Sequence, residues 1–308
     1  MRKGTPTTPA WVAADWGTSQ LRLWLMDGAD HVIEARRAPC GMGSLAPSEF
    51  EPALVDLLGD ALPETGRLAV ICCGMAGSRQ GWAEARYRAA PCRPPSVEAA
   101  TRAPTCDPRL AVHLLPGIQQ ESPADVMRGE ETQIAGLLAS EPGFDGIACL
   151  PGTHTKWVHL SAGEVVSFRT FMTGEIFALL SGRSVLRHAM AGEGWDDAAF
   201  ADALDEAMSC PSNVAAKLFE IRAASLLEGL APGAARARLS GLLIGIELAA
   251  ARPFWLGQDV AILGESRIAS AYAKALEGQG VPARRQDADA MTLAGLAAAW
   301  AALGEPVR

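Results

Sequence analysis

The feature that most constrains this chain is a design that occurs twice. Residues 11–25, WVAADWGTSQLRLWL, run from an apolar strand through a Gly-Thr turn into a second strand. Residues 146–160, GIACLPGTHTKWVHL, do the same, with Gly152-Thr153 in the place of Gly17-Thr18. Short apolar runs that stop at a glycine turn are the mark of buried strands. Two such units predict two topologically similar halves, each offering one turn to a shared cleft. The 308 residues suffice for two domains with cores of their own.

The remaining pattern is α/β. Strands are expected at 11–15, 21–26 and 31–36, and an amphipathic helix over SEFEPALVDLLGDAL with Ser48 as its N-cap. RLAVICCGM reads as another buried strand, and residues 91–123 as loops and short strands. Helical spacing is expected from Val126 to Ser140 and through most of 170–251, with APGAARAR as a break between LFEIRAASLLEGL and LSGLLIGIELAAA. DVAILGES repeats the strand-to-glycine turn before a helix, and Leu293, Leu296, Trp300 and Leu303 mark a final one.

Composition removes several classes. A net charge of −8 gives no footing for nucleic acid or an anionic membrane, which reward clustered Lys and Arg. MRKGTPTTPA reads as a short disordered lead without the apolar core of a signal peptide, and no apolar run is long enough for a bilayer. A cytoplasmic protein is expected. Seven cysteines, an odd number without a C-x-x-C pair, suggest neither a disulfide framework nor zinc, and most should be small buried hydrophobes. The sequence does not fix the oligomeric state; a homodimer is compatible with it.

The chemistry lies at the turns. Glycine admits close backbone approach, successive N–H groups can point at an anion, and hydroxyls add donors, so paired Gly-Thr turns suit phosphate. Asp15 would repel phosphate unless a cation lies between, which points to Mg²⁺. Lys156 and Arg22 could offset charge on a transferring phosphoryl group or pair with a local acid. MRGEETQ supplies Glu130 and Glu131, either of which could take the proton of an acceptor hydroxyl; both could equally be first-turn acids favoured by the helix dipole. CGMGSLA fits G-x-G-x-x-A but lacks the βαβ setting of a dinucleotide site. There is no G-x-x-x-x-G-K-[ST] and no G-x-S-x-G.

These motifs carry a resemblance. DWGTSQLRLW and PGTHTKW resemble the two phosphate motifs of the sugar kinase/Hsp70/actin superfamily, and ILGESRIASAY is similar to its adenosine motif. MRGEETQ, PGTHTKW, FRTFMTGE, LFEIRA and SGLLIGIE, in that order, with GMAGS and Trp82, resemble the 2-dehydro-3-deoxygalactonokinase family over nearly the whole chain. The resemblance implies an α/β fold of two similar domains of the actin-like (ribonuclease H-like) ATPase type with an interdomain cleft. Domain I would cover 1–140, domain II 141–289, and a C-terminal helix at 290–308 would pack back on domain I.

It also implies roles. Asp15 would organise Mg²⁺. Gly17, Thr18, Ser19 and Arg22 would face phosphate from one side, and Gly152, Thr153, His154, Thr155 and Lys156 from the other, with Gly264, Glu265 and Ser266 at the nucleoside. Glu130 stands where related sugar kinases carry an aspartate base, and Glu131 remains the alternative. Met75, Ser78, Trp82, Arg128, Arg169, Thr173 and Glu175 would contact the sugar acid, whose carboxylate calls for arginine. The implied activity is ATP- and Mg²⁺-dependent phosphorylation of 2-dehydro-3-deoxy-D-galactonate at its C6 hydroxyl. A kinase for another sugar acid, such as 2-dehydro-3-deoxy-D-gluconate, and a non-catalytic nucleotide sensor are the alternatives.

Overall fold

The structure, a computed structural model, describes residues 9–302. The N-terminal lead and Leu303 of the expected apolar stripe lie outside the described residues. The chain divides into two compact units, the first made of residues up to Phe144, Ser161–Ser167 and the chain from Ala288, the second of Asp145–Leu160 and Phe168–Asp287.

The first unit carries β1 (Trp11–Trp16), β2 (Leu21–Met26), β3 (Val32–Ala38), α1 (Phe50–Leu58), β4 (Leu68–Gly74), β5 (Arg88–Ala89), β6 (Thr101–Arg102), β7 (Leu110–Leu114), β8 (Ile118–Glu121), β9 (Ala124–Met127) and α2 (Glu130–Ser140). Its main sheet has the order β3-β2-β1-β4-β7-β6, and β5, β8 and β9 form a small second sheet. The hairpin β1–β2 is antiparallel, with Asp15 opposite Arg22, and β1 lies parallel to β4.

The second unit carries β10 (Gly146–Leu150), β11 (Thr155–Ser161), β12 (Glu164–Phe171, of which the part up to Ser167 counts with the first unit), α3 (Thr173–Arg183), α4 (Asp197–Ser209), α5 (Val214–Leu227), α6 (Pro232–Ala250), α7 (Arg252–Trp255), β13 (Val260–Gly264), α8 (Ser266–Gly278) and β14 (Ala283–Asp287); α9 (Ala288–Ala301) returns to the first unit. Its sheet runs β12-β11-β10-β13-β14. Here too an antiparallel hairpin, β10–β11, has a parallel neighbour on its other side, β13. The repeated motif is thus a repeated topology.

Side-chain alternation on β1 sorts the first core. Val12, Ala14 and Trp16 pack with Phe50, Leu54 and Leu58 of α1. Trp11 and Ala13 face the opposite way, onto Leu296, Ala299 and Trp300 of α9, where the Trp11 and Trp300 rings stack with centroids 5.2 Å apart. In the second unit Ile147 and Cys149 of β10 pack with Ile244 and Leu248 of α6 and Tyr272 of α8.

Some local expectations fail for identifiable reasons. Ser48 is not the cap of α1: residues 47–49 form a turn of 3₁₀ helix, and the Glu49 carboxylate closes it by accepting from the Ala46 N–H at 2.6 Å. The pattern from Val126 is strand before it is helix, since Gly129, at φ 106°, starts α2 at Glu130. APGAARAR is no break either, because Pro232 sits at the first position of α6, where proline needs no N–H partner. Of the cysteines, Cys72, Cys73, Cys92 and Cys149 are buried as expected, Cys40 and Cys210 are half-buried and Cys106 is exposed.

Helices α2 and α9 approach so closely that a Cβ on Gly136 would overlap the Met291 carbonyl, and one on Gly295 the Thr132 carbonyl. Alanine is favoured over glycine by about 1 kcal/mol in a helix, but overlap with rigid backbone costs about 1–3 kcal/mol or more. Gly136→Ala and Gly295→Ala are each expected to lower stability by about 2 kcal/mol in denaturant titration, the reverse of the propensity effect.

Candidate active site

In the first unit the β1–β2 turn places Gly17, Thr18 and Ser19 at the surface, with Thr18 and Ser19 exposed. The Gly17 N–H donates to the Gln20 carbonyl at 2.9 Å. A neighbouring segment braces the turn from behind: Met42 N–H donates to Gly17 O at 3.0 Å and Gly43 N–H to Thr18 O at 2.9 Å. The G-x-G-x-x-A stretch, read in the sequence only as a failed dinucleotide motif, therefore buttresses this turn. Its role was hidden because main-chain bonds carry it.

Asp15 is the residue before the end of β1, on the face that looks to α9. Arg22 lies opposite it, donates from Nε to Asp15 Oδ2 at 3.1 Å, and makes further ion pairs with Asp15 and with Asp289 of α9. Arg37 donates to the other Asp289 oxygen at 3.1 Å. Arg22 is thus held between two carboxylates, the local pairing that the sequence also left open for it, and it steadies Asp15. Asp289 had no sequence signal, since its partner is far away in the chain. Among the described residues no three His, Cys, Asp or Glu side chains cluster as a metal cage. One carboxylate, partly compensated by an arginine, suits an ion that arrives on phosphate oxygens.

Two glycines bring the candidate base to the same corner. Gly74 ends β4 at φ 86° and Gly129 precedes α2 at φ 106°, conformations that disfavour any side chain. A Cβ on Gly74 would lie 3.2 Å from Asp15 Oδ1, and one on Gly129 would lie 3.6 Å from the Gly74 Cα. Glu130 therefore begins its helix beside the end of β1. It is half-buried, and its carboxylate accepts from the Arg128 N–H at 3.0 Å. Glu131 is wholly buried and accepts from the Gly129 N–H at 2.7 Å. Burial, then the Glu130 charge, push the Glu131 carboxyl from an ordinary 4.5 up to about 8. A sealed, protonated acid cannot take a substrate proton, so the geometry favours Glu130 of the pair.

The expected sugar-acid contacts separate into two groups. Met75 is half-buried just beyond β4. Ser78 is buried with no hydrogen-bond partner for its hydroxyl, and Nε and Nη1 of Arg128 are buried without partners too. Arg128 Nη2 donates to the Ala85 carbonyl at 2.8 Å, and its guanidinium lies 4.3 Å from the Tyr87 ring centre. Nη1 lies 3.0 Å from where a Cβ of Gly77, the residue before Ser78, would stand. Trp82 packs on Trp16 and Phe50, and its indole N–H already donates to the Pro104 carbonyl at 3.1 Å.

In the second unit Thr153 and His154 are exposed and Gly152 half-buried, so the turn presents its first three residues. Glu175 of α3 grips it twice, its N–H donating to Thr153 O at 2.9 Å and its carboxylate meeting His154 Nε2 at 2.6 Å. Lys156 is buried, with Nζ donating to His154 O at 3.2 Å. Thr155 and Thr173 are both buried, the first with its hydroxyl 3.1 Å from that of Tyr272 and the second donating to Glu247. Arg169 is exposed on β12. Gly264 ends β13 against Pro151, and Glu265 borders a cavity of about 900 Å³ that is also lined by Thr173, Trp195, Phe200, Arg236 and Tyr272. The Ser266 side chain lies outside what the structure describes.

An acid whose folded-state pKa is raised contributes stability below its unfolded pKa and loses that contribution as pH rises through the folded one. Glu131, at about 8, and Glu247, pushed by burial up to about 7, both act in this sense. The melting temperature is expected to fall between about pH 5 and about pH 9, with a shallower fall in Glu131→Gln. An unchanged slope in that variant would show that Glu131 is not buried neutral.

Comparison with known proteins places the chain. A profile of the 2-keto-3-deoxy-galactonokinase family matches residues 15–299. A Rhizobium meliloti protein named "Probable 2-dehydro-3-deoxygalactonokinase DgoK1" is 40% identical over 304 residues, 96% of this chain and 98% of that protein. The Escherichia coli 2-dehydro-3-deoxygalactonokinase is 31% identical over 276 residues, covering 89% and 91%. A Sinorhizobium meliloti crystal structure assigned to the same enzyme superposes with a TM-score of 0.89 at 40% identity, covering 96% of this chain and 100% of that one. The fold is the two-domain actin-like ATPase type, shared at 14% identity and a TM-score of 0.50 with component A of the Acidaminococcus fermentans (R)-2-hydroxyglutaryl-CoA dehydratase, over 95% of this chain and 98% of that one. This chain belongs to the 2-keto-3-deoxy-galactonokinase family of carbohydrate kinases.

Proposed function

We propose that this protein transfers the γ-phosphoryl group of ATP, with Mg²⁺, to the C6 hydroxyl of 2-dehydro-3-deoxy-D-galactonate. The observation that carries the reading is the unmatched Arg128 guanidinium. Its Nε and Nη1 are buried without partners, which is costly for folding, and the buried Ser78 hydroxyl is unmatched too. That cost is repaid when a carboxylate accepts from the guanidinium, and arginine suits a planar carboxylate by its fork of donors. The substrate named by the relatives is a sugar acid with such a group.

In this reading Glu130 takes the proton of the C6 hydroxyl as the oxygen attacks the γ-phosphorus. The bond from that phosphorus to the β,γ-bridging oxygen breaks, and ADP leaves with the electron pair. Gly17–Ser19 and Gly152–His154 supply backbone N–H groups and side-chain donors to phosphate. Asp15, held in place by Arg22, would hold Mg²⁺, and the ion when bound would offset charge on the phosphate oxygens. The apolar walls of the cavity beside Glu265, Trp195 and Phe200 among them, suit the nucleoside.

Incubation with MgATP and the C4-epimeric 2-keto-3-deoxy sugar acids, with product detected by mass, tests the substrate. Turnover of neutral sugars alone would sink the carboxylate argument. Glu130→Gln is expected to lower kcat by about a hundredfold or more, and full activity in that variant with Glu131→Gln inactive would move the base. Arg128→Met is expected to raise KM for the sugar acid by about tenfold or more without lowering the melting temperature, because it removes an unsatisfied buried cation. A lower melting temperature with normal KM would make Arg128 merely structural.

A further inference from the structure

The second unit buries a carboxylate that the proposed reaction does not use. Glu247 lies in the last turn of α6 and is 1% exposed. Three donors from three other elements converge on it: Trp157 Nε1 of β11 at 2.8 Å, the Tyr272 hydroxyl of α8 at 2.8 Å, and the Thr173 hydroxyl at the first residue of α3. Burying an acid is unfavourable unless its oxygens are satisfied, and a set this complete is seldom needed for packing alone.

The donors' positions in the chain show what is held. Thr155, whose hydroxyl is 3.1 Å from that of Tyr272, is the last residue of the Gly152–Thr155 turn. Thr173 precedes Glu175, which grips the middle of that turn by Glu175 N–H to Thr153 O at 2.9 Å and by its carboxylate to His154 Nε2 at 2.6 Å. Trp157 follows the turn by two residues on β11. Every route from the carboxylate thus ends on the exposed Gly152–His154 segment or its immediate flank. We infer that Glu247 is a positioning residue for the second phosphate turn: through Tyr272–Thr155 on one side and Thr173–Glu175 on the other, it sets the geometry in which the turn's backbone N–H groups meet nucleotide phosphate. The inference rests on the kinase reading of that turn and adds a residue to it that touches no ligand.

The bonding has a direction. Indole N–H can only donate, so one Glu247 oxygen must accept from Trp157. The other accepts from both hydroxyls, which leaves the Tyr272 oxygen free to accept from Thr155. A glutamine in this place would keep the Trp157 bond but turn an N–H₂ toward Thr173 and Tyr272. Both hydroxyls would then have to reverse, and the link to Thr155 with them. Size is conserved while polarity is not, so Glu247→Gln separates positioning from packing.

The test measures MgATP binding by calorimetry apart from turnover. Glu247→Gln is expected to weaken MgATP binding by about tenfold or more, with KM for the sugar acid within about twofold of the parent protein. Tyr272→Phe and Thr173→Val, which delete one hydroxyl each, are expected to weaken it by about threefold or more. Glu247→Gln/Tyr272→Phe should be no weaker than Glu247→Gln alone, because the two act through one bond. Parent-like MgATP affinity in folded Glu247→Gln overturns the inference. So does an equal loss for both substrates that follows the melting temperature. If Glu247→Gln does not fold, the two hydroxyl deletions decide, and unchanged affinity in both overturns it. Parent protein that binds MgATP and phosphorylates no sugar acid would defeat the kinase reading and leave the nucleotide measurement to decide this one.

Discussion

A carboxylate at the end of a buried strand is the constraint around which the first unit is arranged. Asp15 stands one residue before the end of β1, with apolar neighbours on both sides in the chain. It persists there because the hairpin register sets Arg22 opposite, and because α9 brings Asp289 to hold the arginine's other side. The alternating row Asp15, Arg22, Asp289, Arg37 leaves no member of it uncompensated. The same register leaves Gly17, Thr18 and Ser19 as an exposed loop of fixed shape, so the acid's electrostatics and the turn's geometry are one solution.

The second unit solves a parallel problem with different chemistry. Its hairpin carries no charge pair at the corresponding place; Leu150 faces Lys156 in the ladder, and order comes from the buried hydrogen bonds around Glu247. An ion pair flanks one Gly-Thr turn, and uncharged donors converging on a buried carboxylate flank the other. The shared strand order shows how much of the architecture is common. The differing anchors show how little of it fixes the chemistry.

The legible part of the sequence was local. Apolar runs stopping at Gly17, Gly74, Gly152 and Gly264 marked the strands whose ends carry the candidate site, and the hairpin partners followed from turn length. What could not be read was which side chains already had partners. Trp82, Thr155 and Thr173 sit in motifs that invite a ligand-binding reading, yet each gives its polar group to a residue far away in sequence. Arg128 is the opposite case, a motif arginine whose donors stay unmatched in the folded chain. The difference is a hydrogen-bond account that only tertiary structure can close. Asp289 and Glu247 carry no such signal in the sequence for the same reason, since their partners lie far away in the chain.

The way the first unit is assembled from the chain has a consequence for its biosynthesis. One face of its sheet, with Trp11, Ala13, Trp24 and Ile71, is covered by Leu296, Ala299 and Trp300 of α9. That helix follows every other described element in the chain, and α2 needs it as well, through the glycine contact at Gly136 and Gly295. The second unit consists entirely of chain made earlier, from Asp145 to Asp287. The unit whose strands are made first therefore completes its fold only after the second unit has been made, and its tryptophan-rich face stays open to chaperones or to aggregation until α9 emerges.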